Sequence, residues 1–357
     1  MAGGTSHTTD IDHRRATGPL RAFVAFSAVS YVALLLLPPD LAGPAYVLFG
    51  VTALTIVAVR IRSLPGPIRR AATYMVLAGS SSLAGAVMRA VHGMIAGIDY
   101  PFPSPADLFS AAAYPLFLAA IITIVRHRVG RITADLTLDA VVGGVAAGLL
   151  QWQLILLPYL ETTTAAPAAR AMNVAYSLLS ILLVMAACMA LVAGGNRTTS
   201  NRLLAAGLLA TVALDVAATL ITAGRAPEEL RLILAPLVFI LGGAGLLHPS
   251  VVHLMERPSD PAQVRRLTNK RIGVLALALL TAPVLMVVGL AGEQATLWLP
   301  ALGALALAPL VLIRLGRVVR ENEGMAILEA TLRSVGERLV GADSPADVQR
   351  VITVGAE

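Results

Sequence analysis

Ten stretches of mostly apolar residues, each about the length that crosses a bilayer as a helix, follow one another along the chain. They fall at approximately 20–38, 43–60, 71–92, 105–125, 134–158, 170–193, 203–223, 228–247, 272–291 and 295–315. Inside a bilayer every backbone N–H and C=O must find an internal partner, so a chain of this pattern folds as an all-α polytopic membrane bundle. Composition agrees. The sequence is 57% hydrophobic and 13% charged, against roughly 45–50% and about 25% for a soluble domain. Turn residues sit between the stretches, as in Pro38-Pro39-Asp40 and Gly194-Gly195-Asn196.

The formal net charge is +6, which raises the question of nucleic acid. The distribution of the charge answers it. Arg14, Arg15 and Arg21 precede the first stretch. Arg60, Arg62, Arg69 and Arg70 fill the second connection, and Arg126, Arg128 and Arg131 fill the fourth. Arg197 and Arg202 lie in the sixth, and Arg257, Arg265, Arg266, Lys270 and Arg271 in the eighth. Arg314, Arg317 and Arg320 follow the last stretch, while the alternate connections hold only Arg170, Arg225 and Arg231. This alternation is the positive-inside pattern. It predicts a multi-pass membrane protein with both termini cytoplasmic, and it favours an even number of spans. Arginine far in excess of lysine and abundant alanine suit a GC-rich bacterial genome, so the expected location is a bacterial plasma membrane. Aromatic residues are 4% of the chain, too few for a base-stacking surface, so nucleic acid is not an expected partner. The lipid bilayer is.

Four sections are expected: a disordered cytoplasmic tail over 1–19, a ten-helix transmembrane domain over 20–315, a cytoplasmic helix over 316–341, and the start of a further domain over 342–357. The cytoplasmic helix carries Val318, Met325, Leu332 and Leu339 seven residues apart, with Leu328 and Val335 between them. That is a coiled-coil seam of about three heptads and predicts a homodimer through 316–341. An internal duplication is a further expectation. Leu36-Leu37-Pro38 matches Leu156-Leu157-Pro158, and Ala113-Tyr114-Pro115-Leu116 matches Leu234-Ala235-Pro236-Leu237, each about 120 residues apart.

Polar groups inside the membrane cost several kcal/mol each and need a reason. Six residues are the candidate ligand-facing or intramembrane polar positions: Arg89, Asp107, Tyr114, Asp139, Trp152 and Asp215. Arg89 either snorkels to the outer interface or pairs with Asp215. Ser104-Pro105-Ala106-Asp107 reads as a helix start, with Ser104 as the N-cap and Asp107 reaching back to it. Asp135 and Asp139 begin the fifth helix beside Arg131, as partners of the helix dipole or interfacial charges. Trp152, flanked by Gln151 and Gln153, is an interface anchor or a ligand contact.

Known catalytic and cofactor signatures are missing. The sequence has no His-Glu-x-x-His, no Gly-x-Ser-x-Gly, no phosphate loop and no dinucleotide fingerprint. Cys188 is the single cysteine and forms no intramolecular disulfide. No enzyme activity, metal or cofactor is therefore expected of the chain.

Three groups of residues resemble a known pattern: Pro103-Ser104-Pro105-Ala106-Asp107, then Tyr114-Pro115-Leu116 with Arg126-His127-Arg128, then Leu138-Asp139-Ala140-Val141 leading to Trp152 and Leu157-Pro158. They are similar to multi-spanning N-terminal sensor regions of actinobacterial GGDEF/EAL-type proteins of cyclic-di-GMP signalling. The segment from Leu332 to Ala356 resembles the start of a GAF domain. The resemblance implies a membrane sensor or anchor that binds an unknown small ligand and passes a signal through its last helix to an output domain. No GGDEF or EAL signature is present in the chain, so none of that chemistry transfers to residues here. A ten-helix transporter is the alternative expectation. A polytopic lipid enzyme is disfavoured, since clusters of carboxylates or histidines are missing.

Overall fold

The computed structural model describes residues 6–96, 102–193, 198–256, 278–287 and 298–340. Apart from the short turns between helices they are helical, with no strand among the described residues. The helices are α1 (Ser6–Leu36), α2 (Pro39–Ile61), α3 (Gly66–Ala96), α4 (Pro105–Val129), α5 (Ala134–Gln151), a short α6 (Leu157–Thr162), α7 (Pro167–Val192), α8 (Thr199–Thr222), α9 (Glu229–Leu247), α10 (Ala278–Val287) and α11 (Trp298–Val340). A π-helical turn, Trp152–Leu156, joins α5 to α6.

Nine helical segments among the described residues are long and apolar enough to cross a bilayer. The protein is an all-α polytopic bundle. The expected span at 272–291 is described only over α10, ten apolar residues whose flanks lie outside the described residues. The outward faces are apolar: Leu36 is 79% exposed, Ile95 82% and Leu209 68%. A soluble domain would hide such side chains, whereas hydrocarbon solvates them.

Two expected boundaries shift. α1 runs through residues 6–19, where a disordered tail is expected; once a span has nucleated, adding turns at its end costs little. α11 runs unbroken from Trp298 to Val340, so the last span and the separate helix expected over 316–341 are one element. No glycine–proline pair separates them, and Pro309 lies inside the span. At 1.5 Å per residue α11 is about 65 Å long, roughly twice the hydrocarbon thickness. The side chains of Val318, Met325, Leu328, Leu332, Val335 and Leu339, and all of 342–357, lie outside the described residues.

Three apolar clusters hold the bundle. Phe23, Phe49, Val57, Leu83 and Phe239 join α1, α2, α3 and α9. Tyr114, Val125 and Leu183 join α4 to α7. Val142, Ala282 and Leu307 join α5, α10 and α11. The neighbour pattern repeats along the chain. α3 packs closely on α4 as α8 does on α9; α2 packs on α9 as α7 does on α4. Substituting α5, α7, α8 and α9 for α1, α2, α3 and α4 maps these pairs onto each other, as the expected duplication requires. The match breaks at α5, which packs on α11 where α1 packs on α9.

The π turn has a local cause. Pro158 supplies no N–H, and its ring would strike the carbonyl four residues back. The chain widens instead, so that the N–H of Leu157 bonds the carbonyl of Trp152.

Candidate functional site

Close contact between α3 and α4 builds the first half of the site. A Cβ on Gly85 would lie 2.7 Å from both the Ala106 carbonyl oxygen and the Ser110 hydroxyl. Only glycine permits that approach. One helical turn beyond Gly85, Arg89 therefore meets α4 and donates to Asp107 Oδ1 at 3.2 Å and to Ser110 Oγ at 3.2 Å.

Asp107 does two jobs with its two oxygens. Oδ2 accepts from the Ser104 backbone N–H at 2.8 Å and from the Ser104 hydroxyl at 2.9 Å, which caps α4 as the sequence predicts. Oδ1 faces Arg89 and Tyr176. The Tyr176 hydroxyl also donates to the Asp107 carbonyl oxygen at 3.0 Å, which ties α7 to the start of α4. Asp107 is buried, with 7% side-chain exposure, while Arg89 keeps 39% and reaches the edge of the bundle.

The site continues inward along α4. Tyr114 lies nine residues past Pro105, about 14 Å down the axis. Its hydroxyl donates to Asp215 Oδ1 of α8 at 2.6 Å, and its ring lies 6.0 Å from that of Tyr176. Arg89 thus pairs with Asp107 rather than with Asp215, correcting one of the two sequence expectations; Tyr114 takes the Asp215 position because α4 lies between α3 and the carboxylate. The other Asp215 oxygen, Oδ2, is buried. The hydroxyl of Ser180, which is 0% exposed, lies within hydrogen-bonding reach of the same carboxylate.

Beneath this polar layer lies an apolar pocket of about 190 Å³, bounded by α2, α3, α4, α7, α8 and α9. It occupies the position between the two repeated units. Phe117, Ala187 and Thr211 belong to its wall. Phe117 is three residues from Tyr114, Thr211 four from Asp215 and Ala187 seven from Ser180, so each pair shares a helix face. The pocket thus runs along the same helices as the polar layer, but none of the residues of that layer is part of its wall.

A second polar centre lies at the Arg-rich end. Arg314 of α11 is buried, with 3% side-chain exposure, and its guanidinium donates to Asp139 Oδ1 at 2.6 Å and Oδ2 at 3.3 Å. Arg314 also lies 3.7 Å from Asp135, to which Arg317 donates at 2.9 Å. The expected neighbour, Arg131, is not the partner in these pairs; α11 returns to cover the start of α5. Nearby on the same end, Arg128 donates to the carbonyls of Leu254 and Ala190 and to Asn201, joining the ends of α4, α7 and α8.

Four of the six expected residues, Arg89, Asp107, Tyr114 and Asp215, come together. Asp139 belongs to the opposite centre. Trp152 is half-buried in the π turn, and none of the hydrogen bonds of the cluster reaches it. Sequence reasoning missed Tyr176, Ser180 and Arg314. A signal existed for two of them: Asn173, Tyr176, Ser177 and Ser180 form a polar stripe at helical spacing in an otherwise apolar helix. Among the described residues no group of three or more His, Cys, Asp or Glu is placed to hold a metal ion. No family model matches the chain, and no curated protein or solved structure matches it.

Proposed function

We propose that the chain is the membrane-embedded sensor and anchor region of a bacterial signal-transduction protein. In this reading the Arg-poor end faces outward, and a small ligand acts on the site built by Arg89, Asp107, Tyr114 and Asp215. α11 carries the response to a cytoplasmic output partner, as a homodimer through 316–341. The observation that supports it most is the continuity of α11 together with its buried clamp. Arg314 and Arg317 hold the last turn of the span against Asp139 and Asp135, and the remaining turns project beyond it. A shift in the bundle that moves α5 must then move α11 as a rigid rod.

The test is cysteine crosslinking in membranes, with single cysteines placed along 318–340 in a Cys188→Ser background. The expected yield peaks near positions 325, 332 and 339, and the pattern changes when Tyr114→Phe or Asp215→Asn alters the distant site. A flat profile, or one indifferent to those substitutions, overturns the relay.

A ten-helix transporter is the second reading. It is favoured by the repeated neighbour pattern with a pocket between the repeats, an arrangement common in transporters. Substrate-dependent uptake into proteoliposomes would put it first.

A further inference from the structure

We infer that the apolar pocket takes up an acyl chain of an anionic phospholipid, from the leaflet at the Arg-rich end, with the lipid phosphate at Arg202. The chain enters between α7 and α8. This goes beyond the sensor reading and depends on no relay.

The depth of the pocket points to the chain. Its wall on α8 runs from Asn201 to Thr211, about 15 Å along the helix axis. That is half of the roughly 30 Å hydrocarbon thickness of a bilayer. On α9 the wall runs from Val238 to Leu246, again from the helix midpoint to the Arg-rich end. The pocket thus follows one leaflet, as an acyl chain does. Its two polar side chains are engaged within the protein. Thr211 donates to the Gly207 carbonyl oxygen at 3.1 Å, and Asn201 Oδ1 accepts from Arg128 at 3.2 Å. Arg128 also donates to the carbonyls of Ala190 and Leu254, both part of the wall, and so ties the pocket shut at the Arg-rich end. A hydrocarbon body therefore fits the interior, and its polar head stays at the rim.

The rim supplies the second observation, a cation at headgroup level. Leu191 of α7 and Leu209 of α8 both line the pocket and are 68% exposed on the outer surface. α7 and α8 also touch each other far less than α8 and α9 do. A chain already in the bilayer enters between them without crossing water. Arg202 is exposed in the first turn of α8. It lies seven residues before Leu209, so the two share one helix face at this opening. A chain that enters beside Leu209 brings its phosphate level with Arg202. Guanidinium and phosphate match in charge and in hydrogen-bonding geometry, and basic pockets between spans on this side of a membrane suit anionic headgroups.

The test uses the full chain in phosphatidylcholine liposomes. A trace of phosphatidylglycerol or of phosphatidylcholine, each with a diazirine on one acyl chain, is photoactivated and the labelled peptides are mapped. The expected result is labelling of the pocket wall on α7 and α8, relative to the outward-facing Leu182, that is about fivefold stronger for the phosphatidylglycerol probe, as one arginine near the headgroups would give. Arg202→Gln should bring the two probes level. Ala187→Phe, which fills the pocket, should remove wall labelling by both and leave Leu182 labelled. Equal wall labelling by the two probes in the unsubstituted protein overturns the inference, and so does labelling confined to outer positions such as Leu182. Wall labelling displaced by palmitate more readily than by unlabelled phosphatidylglycerol overturns the phospholipid in favour of a free fatty acid. Because the probes are compared first on the unsubstituted protein, a variant that fails to fold does not blunt the result. Crosslinking of α11 plays no part in these outcomes, so this site and the relay fail separately.

Discussion

Among single residues, the hydrogen bond from Tyr114 to Asp215 is the most open to test. It joins α4 to α8 within an apolar surround, where a lost partner is not replaced by water. Tyr114→Phe is expected to lower stability by about 1–3 kcal/mol, read as the denaturation midpoint in detergent. In an Asp215→Leu background the same change should cost much less, because the acceptor is already gone; equal costs in the two backgrounds would show that the pair is not coupled. Individual side chains also show how far polar residues were readable. Asp107 was legible as a cap because capping is local, three residues from its partner. Its pairing with Arg89 and Tyr176 was not, since those contacts depend on where α3 and α7 come to lie.

Between elements, two helix pairs hold the two polar centres. α3 and α4 meet at Gly85, and Gly85→Ala places a methyl group 2.7 Å from the Ala106 carbonyl oxygen. The expected cost is about 1–3 kcal/mol of overpacking, with loss of the Arg89 contacts. Gly93 in the same helix faces open space, with nothing within 4 Å of where a Cβ would sit. Gly93→Ala should therefore raise stability by about 0.5–1 kcal/mol. The midpoints of the two variants, measured together, separate close packing from helix propensity. α5 and α11 meet at Arg314 and Asp139. Arg314→Ala leaves a buried carboxylate and is expected to cost about 3–5 kcal/mol, whereas Arg314→Leu with Asp139→Leu should recover most of that. Hydrogen exchange of the turns after Arg314 should rise in the single variant and stay low in the double one.

Across the molecule, the repeated neighbour pattern places the pocket between two similar halves and leaves α10 and α11 as an added pair on α5. An added pair of this kind can move with α5 while the six helices around the pocket rearrange. The expected assembly is a dimer through the far half of α11. Leu332→Glu with Leu339→Glu should convert it to a monomer in detergent, measured by light scattering, since each charge falls on the heptad seam. A protein that is monomeric before substitution would count against the dimer.

Helicity, repeated membrane crossing and the alternation of charge from one end to the other were all readable from the residues in order. Those properties follow from local length, apolarity and the distribution of arginine, and none requires knowing which helix touches which. Arg89, Asp107, Tyr114 and Asp215 stood out in the same way, because a polar group in hydrocarbon is conspicuous wherever it falls. Their partners came from packing. Tyr114 reaches Asp215 across 101 positions, and Arg314 reaches Asp139 across 175. Arginines of one interface look alike in sequence, and packing alone buried Arg314 and Arg128 while leaving their neighbours outside. The pocket was equally invisible, because its wall is made of ordinary apolar residues from six helices, and a void is a property of their arrangement rather than of any one of them.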